Sequence, residues 1–196
     1  MRKNILIIFI LAMTFCFTGC GERKIEELAE NIKKLELAGN LVTYEVYYHN
    51  VLEYEKENGS GIAHLFEKDK KLFAEYTGTI KIGVDLSKVQ IEVDESTINV
   101  FIPKATVIGE PNVDKDDFKS ENFIESKDGI NKNKITADDL VAAFDKAQEE
   151  IKKNASTNSE VLSIAQKRAK SIIEENIKQF SGVTDDLFNI NWEYGV

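Results

Sequence analysis

The spacing of apolar residues divides this chain into strands followed by helices, and this order constrains the fold more than any other feature. Between residues 42 and 102, apolar residues alternate with polar ones, and many are β-branched or aromatic, as in half-buried strands. After Thr136 they recur every three or four positions, as in amphipathic helices. Residues 187–194 return to alternation, which predicts a closing strand.

This order predicts an α+β fold with a mostly antiparallel sheet, two C-terminal helices packed on one of its faces, and a returning C-terminal strand. Thr136 is expected to cap the first helix, with Asp139 completing a capping box. The polar residues 154–159 should separate the two helices. The expected apolar stripes are Leu140, Phe144, Ala147 and Ile151 in the first helix, and Leu162, Ala165, Ala169, Ile172, Ile173, Ile177 and Phe180 in the second.

Aromatic residues on the apolar side of the strands are expected in the core. Trp192, on the closing strand, should be buried among residues such as Ile172 and Phe180. On the longest predicted strand, one parity carries Leu72, Ala74, Tyr76, Ile80, Ile82, Val84 and Leu86. These residues are therefore predicted to face the helices.

The N-terminus has the layout of a secretory signal. Arg2 and Lys3 form a basic head, residues 5–17 are uncharged and mostly apolar, and small residues follow. A membrane-spanning helix is the alternative. About 13 helical residues reach roughly 20 Å, against about 30 Å for the hydrocarbon core. The run is too short to span a bilayer, so a signal peptide over residues 1–19 is expected.

The end of this segment, Phe17-Thr18-Gly19-Cys20, resembles the lipobox of bacterial lipoproteins. The resemblance implies that the thiol of Cys20 receives a diacylglycerol and that cleavage leaves Cys20 as the first residue. Cys16 fits less well, because the bulky Phe15 precedes it. A diacyl group supplies the two chains that durable anchoring needs. A secreted form without lipid, or an uncleaved form, is the alternative.

The predicted organisation is therefore a signal peptide (1–19), a lipid-anchored linker (20–40) and a single α+β domain (41–196). The linker contains a short amphipathic pattern, with Ile25, Leu28, Ile32 and Leu35 at helical spacing. The length is sufficient for one ordinary domain. The predicted location is extracytoplasmic, with the lipid holding the domain at the cell membrane.

The charge of the chain excludes several classes of partner. The net charge is −9, and loss of Arg2 and Lys3 with the signal peptide makes it two units more negative. Nucleic-acid binding depends on basic residues meeting phosphates, so no nucleic-acid partner is expected. The expected partners are the membrane, through the diacylglycerol on Cys20, and an envelope protein or ligand. With Cys16 removed and Cys20 acylated, no thiol remains for a disulfide or a catalytic site.

Three aspartates are weak site candidates. Asp85 could act as a lone catalytic carboxylate, but an Asx turn between two strands accounts for it better. Asp114 and Asp116 alternate as calcium ligands do, within residues 109–135, an acidic stretch expected to form a long loop with a hairpin turn at Asp128-Gly129. An EF-hand needs Gly at its sixth position and Glu at its twelfth, and Asp117 and Phe123 stand there. A solvated acidic loop is the preferred interpretation.

The remaining motifs argue against common chemistries. His49 and His64 are the two histidines, and neither has the spacing of a zinc site. The sequence lacks a G-x-S-x-G elbow, a phosphate-binding loop and a dinucleotide-binding fingerprint. We therefore expect no metal, no cofactor and no catalytic residue.

Residues 77–114 resemble a bacterial family of unknown function, domain-of-unknown-function family 4230. The shared features are Gly78 and Gly83 around an isoleucine-rich strand, Asp85-Leu86 after it, and residues 103–105 before the acidic stretch. The later helix AFDKAQEEIKK and the closing strand extend the likeness over residues 41–194. The family is defined by sequence, so the resemblance implies no activity.

These observations lead to two functional expectations. The first is a membrane-tethered, extracytoplasmic, non-enzymatic domain that binds a partner or scaffolds an envelope assembly. The alternative is a hydrolase that acts on cell-envelope material through carboxylates. A concave cluster of acids with raised pKa values would favour the hydrolase, and a flat sheet face or apolar groove would favour binding.

Overall fold

A computed structural model of the chain describes residues 39–94, 97–126, 132–181 and 189–195. Its strands are β1 (Asn40–Lys56), β2 (Lys70–Asp85), β3 (Gln90–Asp94), β4 (Thr97–Ile102), β5 (Thr106–Val113), β6 (Phe123–Glu125) and β7 (Asn189–Tyr194). Its helices are α1 (Ala137–Thr157) and α2 (Ser159–Ser181). Short 3₁₀ helices occupy Ile62–His64, Leu86–Lys88, Lys115–Phe118 and Ser120–Asn122.

The strands form two sheets in which most pairs are antiparallel. In the first sheet, β1 pairs with β2, and β2 pairs antiparallel with both β5 and β6. In the second, β4 pairs antiparallel with β3 and parallel with β7. A parallel pair needs a long crossover connection, which the chain containing α1 and α2 provides. The α+β prediction is confirmed, although the strands divide between two sheets where one was expected.

The described residues cluster into two compact units. The large unit comprises Val42–Val84 and Ala105–Gln166, which include most of β1 and β2, all of β5, β6 and α1, and the start of α2. The small unit contains β3, β4, β7 and the C-terminal part of α2. The single domain over residues 41–196 stays a prediction. The expected helix near residues 25–35, like the signal peptide and Cys20, lies outside the described residues.

The core of the large unit lies between β2 and α1, as the strand pattern predicted. The residues expected on the inner side of the strand are all buried: Leu72, Ala74, Tyr76, Ile80, Ile82 and Val84. Leu86, just beyond the strand and in the small unit, is buried as well. Gly78 also lies on the inner side of the strand. A Cβ atom at Gly78 would stand 2.7 Å from Cδ1 of Ile151. The missing side chain therefore permits close approach of helix and strand.

Helix α1 begins where the sequence predicted, but it continues into the polar run 154–159 before it ends. The Asp139 carboxylate accepts a hydrogen bond from the backbone N–H of Thr136 at 2.6 Å, and Asn158 alone separates α1 from α2. Its buried stripe differs from the expected one. Ala147 and Ile151 are buried, but Leu140 and Phe144 are half-buried, and the alanines at 143 and 155 complete the stripe. Small side chains suit a helix packed close to a sheet, and apolar spacing alone favours the larger residues.

The expectation of one long loop over residues 109–135 is wrong in part. β5 extends to Val113, and β6 adds a second short strand. The alternation was hidden because β5 shifts its pairing register against β2 between Thr79 and Lys81. Gly109 sits at this irregularity with φ of 77°, a backbone conformation that favours glycine. Asp128-Gly129 lies outside the described residues.

The small unit overturns the expectation for Trp192. Its side chain in β7 is half-buried, with Lys170 Nζ 5.1 Å from the ring centroid. Ile172 is 37% exposed, because the inner face of α2 carries Ile173 and Ile177 instead; the Phe180 side chain lies outside the described residues. The core assignment also fails for the exposed Tyr194. β7 lies at the edge of its sheet. This position explains the exposure of both Trp192 and Tyr194, because an edge strand leaves its aromatic rings partly open to water.

Candidate functional site

Two polar clefts lie side by side in the large unit and share Thr77. The histidine cleft, about 350 Å³, is lined by His49, Glu75, Thr77, Asp117 and Asn122. The tyrosine cleft, about 490 Å³, is lined by Tyr47, Thr77, Gly78, Thr79, Asn112, Val113, Asp114, Lys115 and Asp116. Alternation along β1 and β2 points Tyr47, His49, Glu75, Thr77 and Thr79 away from the buried side of the sheet, whereas Gly78 contributes only backbone to the cleft. The clefts are therefore built on the solvent side of the first sheet.

The polar groups of the histidine cleft are engaged with one another. His49 Nε2 contacts a carboxylate oxygen of Glu75, and both side chains are more than half exposed. The backbone N–H and hydroxyl of Thr77 donate to Asp117 Oδ2 at 2.9 and 3.0 Å. An exposed ion pair contributes little to stability. The cleft therefore presents a hydrated polar surface rather than an enclosed reaction chamber.

The three candidate aspartates make local turns, and they do not form one site. Asp85, in the small unit, accepts from Ser87 N–H at 3.1 Å and from its hydroxyl at 2.5 Å. This is the Asx turn that the sequence favoured. In the large unit, Asp114 Oδ1 accepts from the backbone N–H of Asp116 at 2.9 Å, and Asp116 pairs with Lys119 at 3.0 Å.

A metal centre finds no support in the described ranges. No group of three or more histidine, cysteine or acidic side chains there could hold a metal ion. His49 is a surface residue in contact with Glu75, and His64 Nδ1 contacts Glu67 Oε2 at 2.6 Å. Within those same ranges, no helix combines the length and apolar character needed to cross a bilayer.

Several carboxyl groups have a lowered pKa, which is the direction opposite to that of a buried general acid. A hydrogen bond from Lys71 lowers the pKa of Glu53, and one from His64 lowers the pKa of Glu67. Ser87 does the same for the pKa of Asp85. Groups held ionised in this way suit structural contacts better than proton donation near neutral pH.

The large unit also has an apolar groove of about 380 Å³ beside α1. Its walls are Phe118, Leu140, Val141 and Phe144, and Lys115 and Asp145 complete its lining. Val141 is 60% exposed, so the groove opens to solvent. The apolar spacing of the sequence did not predict this groove. The sequence did contain a signal for the groove in the large apolar residues Leu140 and Phe144. They were expected in the core, but the alanines of α1 occupy the side of the helix that faces the core.

The clefts belong to the large unit of an α+β chain in which a strand-rich part precedes two helices. Residues 33–184 match the family described as Protein of unknown function (DUF4230). This match covers most of the chain, so the chain belongs to that family, as its sequence resemblance indicated. Comparisons with curated proteins and with solved structures give no match.

Proposed function

We propose that the chain is a lipid-anchored lipoprotein of the cell envelope whose extracytoplasmic domain binds a partner. The apolar groove carries the binding part of this proposal. Val141 is exposed and Leu140 and Phe144 are half-buried, so they leave an apolar surface open to water over the buried Phe118, which is characteristic of a surface that a partner covers. Lys115 and Asp145 give it both signs of charge, which can orient an incoming segment.

The binding proposal is tested by placing a photo-crosslinking residue at position 141 in intact cells. We expect one adduct of defined mass, and we expect Asp145→Lys to reduce its yield several-fold, because it replaces the acidic group of the groove with a second positive charge beside Lys115. The matched control is the same crosslinker at Val51, which is 67% exposed on β1 and lies outside the groove. Equal adducts from both positions, or no effect of Asp145→Lys, would contradict the proposal.

A carboxylate-dependent hydrolase acting on envelope material is the second candidate. The contact between His49 and Glu75 in an open cleft is the observation that favours it. The engaged carboxylates and the open apolar groove favour binding instead. The crosslinking experiment separates the two, because a hydrolase centred on the histidine cleft does not require a protein partner at Val141.

The lipid anchor has its own prediction. Cys20→Ala should abolish metabolic acyl labelling and should release the protein or leave it as the unprocessed precursor. Loss of both acyl chains removes the methylene burial that makes anchoring durable, about 0.8 kcal/mol for each methylene. Cys16→Ala is the matched control and should keep full labelling. Labelling that survives Cys20→Ala would refute the lipid assignment.

A further inference from the structure

Three large apolar side chains stand exposed on a single turn between β1 and β2. Ile62 is 88% exposed, Leu65 72% and Phe66 64%. They belong to residues 61–66, here called the apolar turn, which includes the 3₁₀ helix Ile62–His64. Isolated exposed apolar residues are common, but three within five positions of one turn indicate an interaction surface.

Hydrogen bonds hold the backbone of the apolar turn in place. His64 N–H donates to Gly61 O at 3.0 Å, and Glu67 N–H donates to His64 O at 2.9 Å. The Glu67 carboxylate also accepts from Gly59 N–H at 3.2 Å and contacts the His64 ring. A Cβ atom at Gly59 would stand 2.1 Å from His64 Nδ1. The ring is thus packed against the chain, and the turn has a defined shape.

A second segment closes the base of the turn. Asn133, only 4% exposed, donates from Nδ2 to the carbonyl oxygens of Glu57 and Lys68, both at 3.1 Å. Lys132 N–H donates to Phe66 O at 3.1 Å, and its Nζ lies 4.9 Å from the Phe66 ring centroid. The apolar side chains are therefore presented from a fixed base, so little conformational entropy opposes their insertion into a partner.

The charges beside the turn are balanced. Lys70 pairs with Glu125, and Lys71 pairs with Glu53 at 2.5 Å. Paired charges create no strong field of either sign, and Lys132 over the Phe66 ring adds one positive charge, which is less than the cluster of basic residues that recognises a polyanion. The remaining driving force for binding is the transfer of apolar side chains from water into an apolar environment. A lipid bilayer fits this chemistry, because its interface accepts a convex apolar tip without requiring a complementary pocket.

The tether is long enough for this contact, an argument that rests on the proposed anchor at Cys20. Segment 20–39 can extend to at most about 70 Å. β1, with its 17 residues, spans roughly 56 Å from the tether to the end where the turn follows. The turn can therefore reach the bilayer that holds the lipid.

We propose that the apolar turn inserts into the interfacial layer of the bilayer to which the chain is anchored. Ile62, Leu65 and Phe66 enter the boundary between headgroups and acyl chains, and the paired charges at the start of β2 remain in water. The lipid on Cys20 fixes where the domain is, and the turn fixes how the domain is oriented. Because the driving force is apolar, insertion is insensitive to salt and to the fraction of anionic lipid.

The test uses the membrane-anchored full chain, purified and reconstituted in phosphatidylcholine vesicles. An environment-sensitive fluorophore is attached at Phe66→Cys and, as a control, at Tyr47→Cys, which replaces a side chain of similar exposure (65%) on β1. The parent chain without an added cysteine gives the background from Cys16 and Cys20. We expect nitroxide lipids to quench the label at position 66 at least about twofold more than the label at position 47. Added salt or phosphatidylglycerol should not change that ratio.

Two further variants link the signal to the turn. Ile62→Ser with Leu65→Ser should reduce lipid quenching at position 66 to the level at position 47. Val51→Ser changes an exposed apolar residue on β1, away from the turn, and should leave quenching unchanged. Equal lipid quenching at both positions, with position 66 open to aqueous iodide, would overturn the proposal. Protection of position 66 from both quenchers would also overturn it, in favour of contact with a second copy.

The readout also separates this proposal from the lipid assignment. Acyl labelling of the same preparation reports on Cys20, and quenching at position 66 reports on the turn. If the chain is released because Cys20 carries no lipid, vesicles are added to the released protein and the same quenching ratio is measured. Failure of the anchor and failure of the turn are then distinct results.

Discussion

Replacing Tyr76 by alanine should lower the free energy of unfolding by about 3–5 kcal/mol, the range for removing a large buried aromatic side chain. Tyr76 is fully buried in β2. Its ring centroid lies 6.0 Å from that of Phe118, and Phe118 packs edge-on against Phe144 at 5.3 Å. The substitution would leave a cavity where the sheet, the 3₁₀ segment and α1 meet.

Two matched variants separate the ring from its hydroxyl. The hydroxyl donates to Glu150 at 3.4 Å, and burial raises the pKa of Tyr76, which keeps it neutral. Tyr76→Phe keeps the ring and should cost only about 1 kcal/mol. Tyr47→Ala removes a ring that is 65% exposed and should cost less than about 0.5 kcal/mol. Equal losses for Tyr76→Ala and Tyr47→Ala would contradict the packing described for β2.

Urea unfolding followed by two probes measures these losses and also tests the single-domain prediction. Far-ultraviolet circular dichroism reports on all elements, and fluorescence of Trp192 reports on the small unit. If residues 41–196 unfold as one cooperative domain, Tyr76→Ala in the large unit shifts both transitions together. A Trp192 transition that keeps its wild-type midpoint would show that the two units unfold separately.

The sequence predicted local structure well where one face of an element is buried. Period two along β2 identified its buried residues from Leu72 to Val84, because a one-residue slip would turn every apolar side chain towards water. The helix start at Thr136 and Asp139 was also predicted correctly, because a capping box depends on two residues only three positions apart. In both cases the pattern and the structure that it specifies involve residues close together in the sequence.

What the sequence could not show depends on contacts between distant residues. The pairing of β7 with β4, and hence the second sheet, joins segments separated by both helices. His49 meets Glu75, and Thr77 meets Asp117, only after strand register is set. The buried alanine at position 143 was missed because the spacing pattern ranked the larger Phe144 above it, although a helix packed close to a sheet favours the smaller side chain.

Asp139→Ala should lower the free energy of unfolding by about 2–3 kcal/mol, because it breaks a part-buried ion pair and removes a helix cap. Asp139 is 8% exposed. Its Oδ2 accepts from Lys56 Nζ at 2.7 Å and from both the N–H and the hydroxyl of Thr136 at 2.6 Å. One carboxylate thus caps α1 and ties it to the end of β1. Asp138→Ala, in the same helical turn but exposed, should cost no more than about 0.5 kcal/mol.

The contribution of Asp139 should disappear in acid, and the sign follows from its environment. Burial acts to raise the pKa of Asp139, but the hydrogen bonds from Lys56 and Thr136 outweigh it, so the pKa is below the ordinary 3.8. A carboxyl group with a lowered pKa stabilises the fold above its unfolded pKa and loses that contribution as pH falls through its folded pKa. The difference in stability between the wild type and Asp139→Asn should therefore be constant at about pH 5–7 and shrink below about pH 4. A difference that stays constant into stronger acid would show that Asp139 acts through its shape and not through its charge.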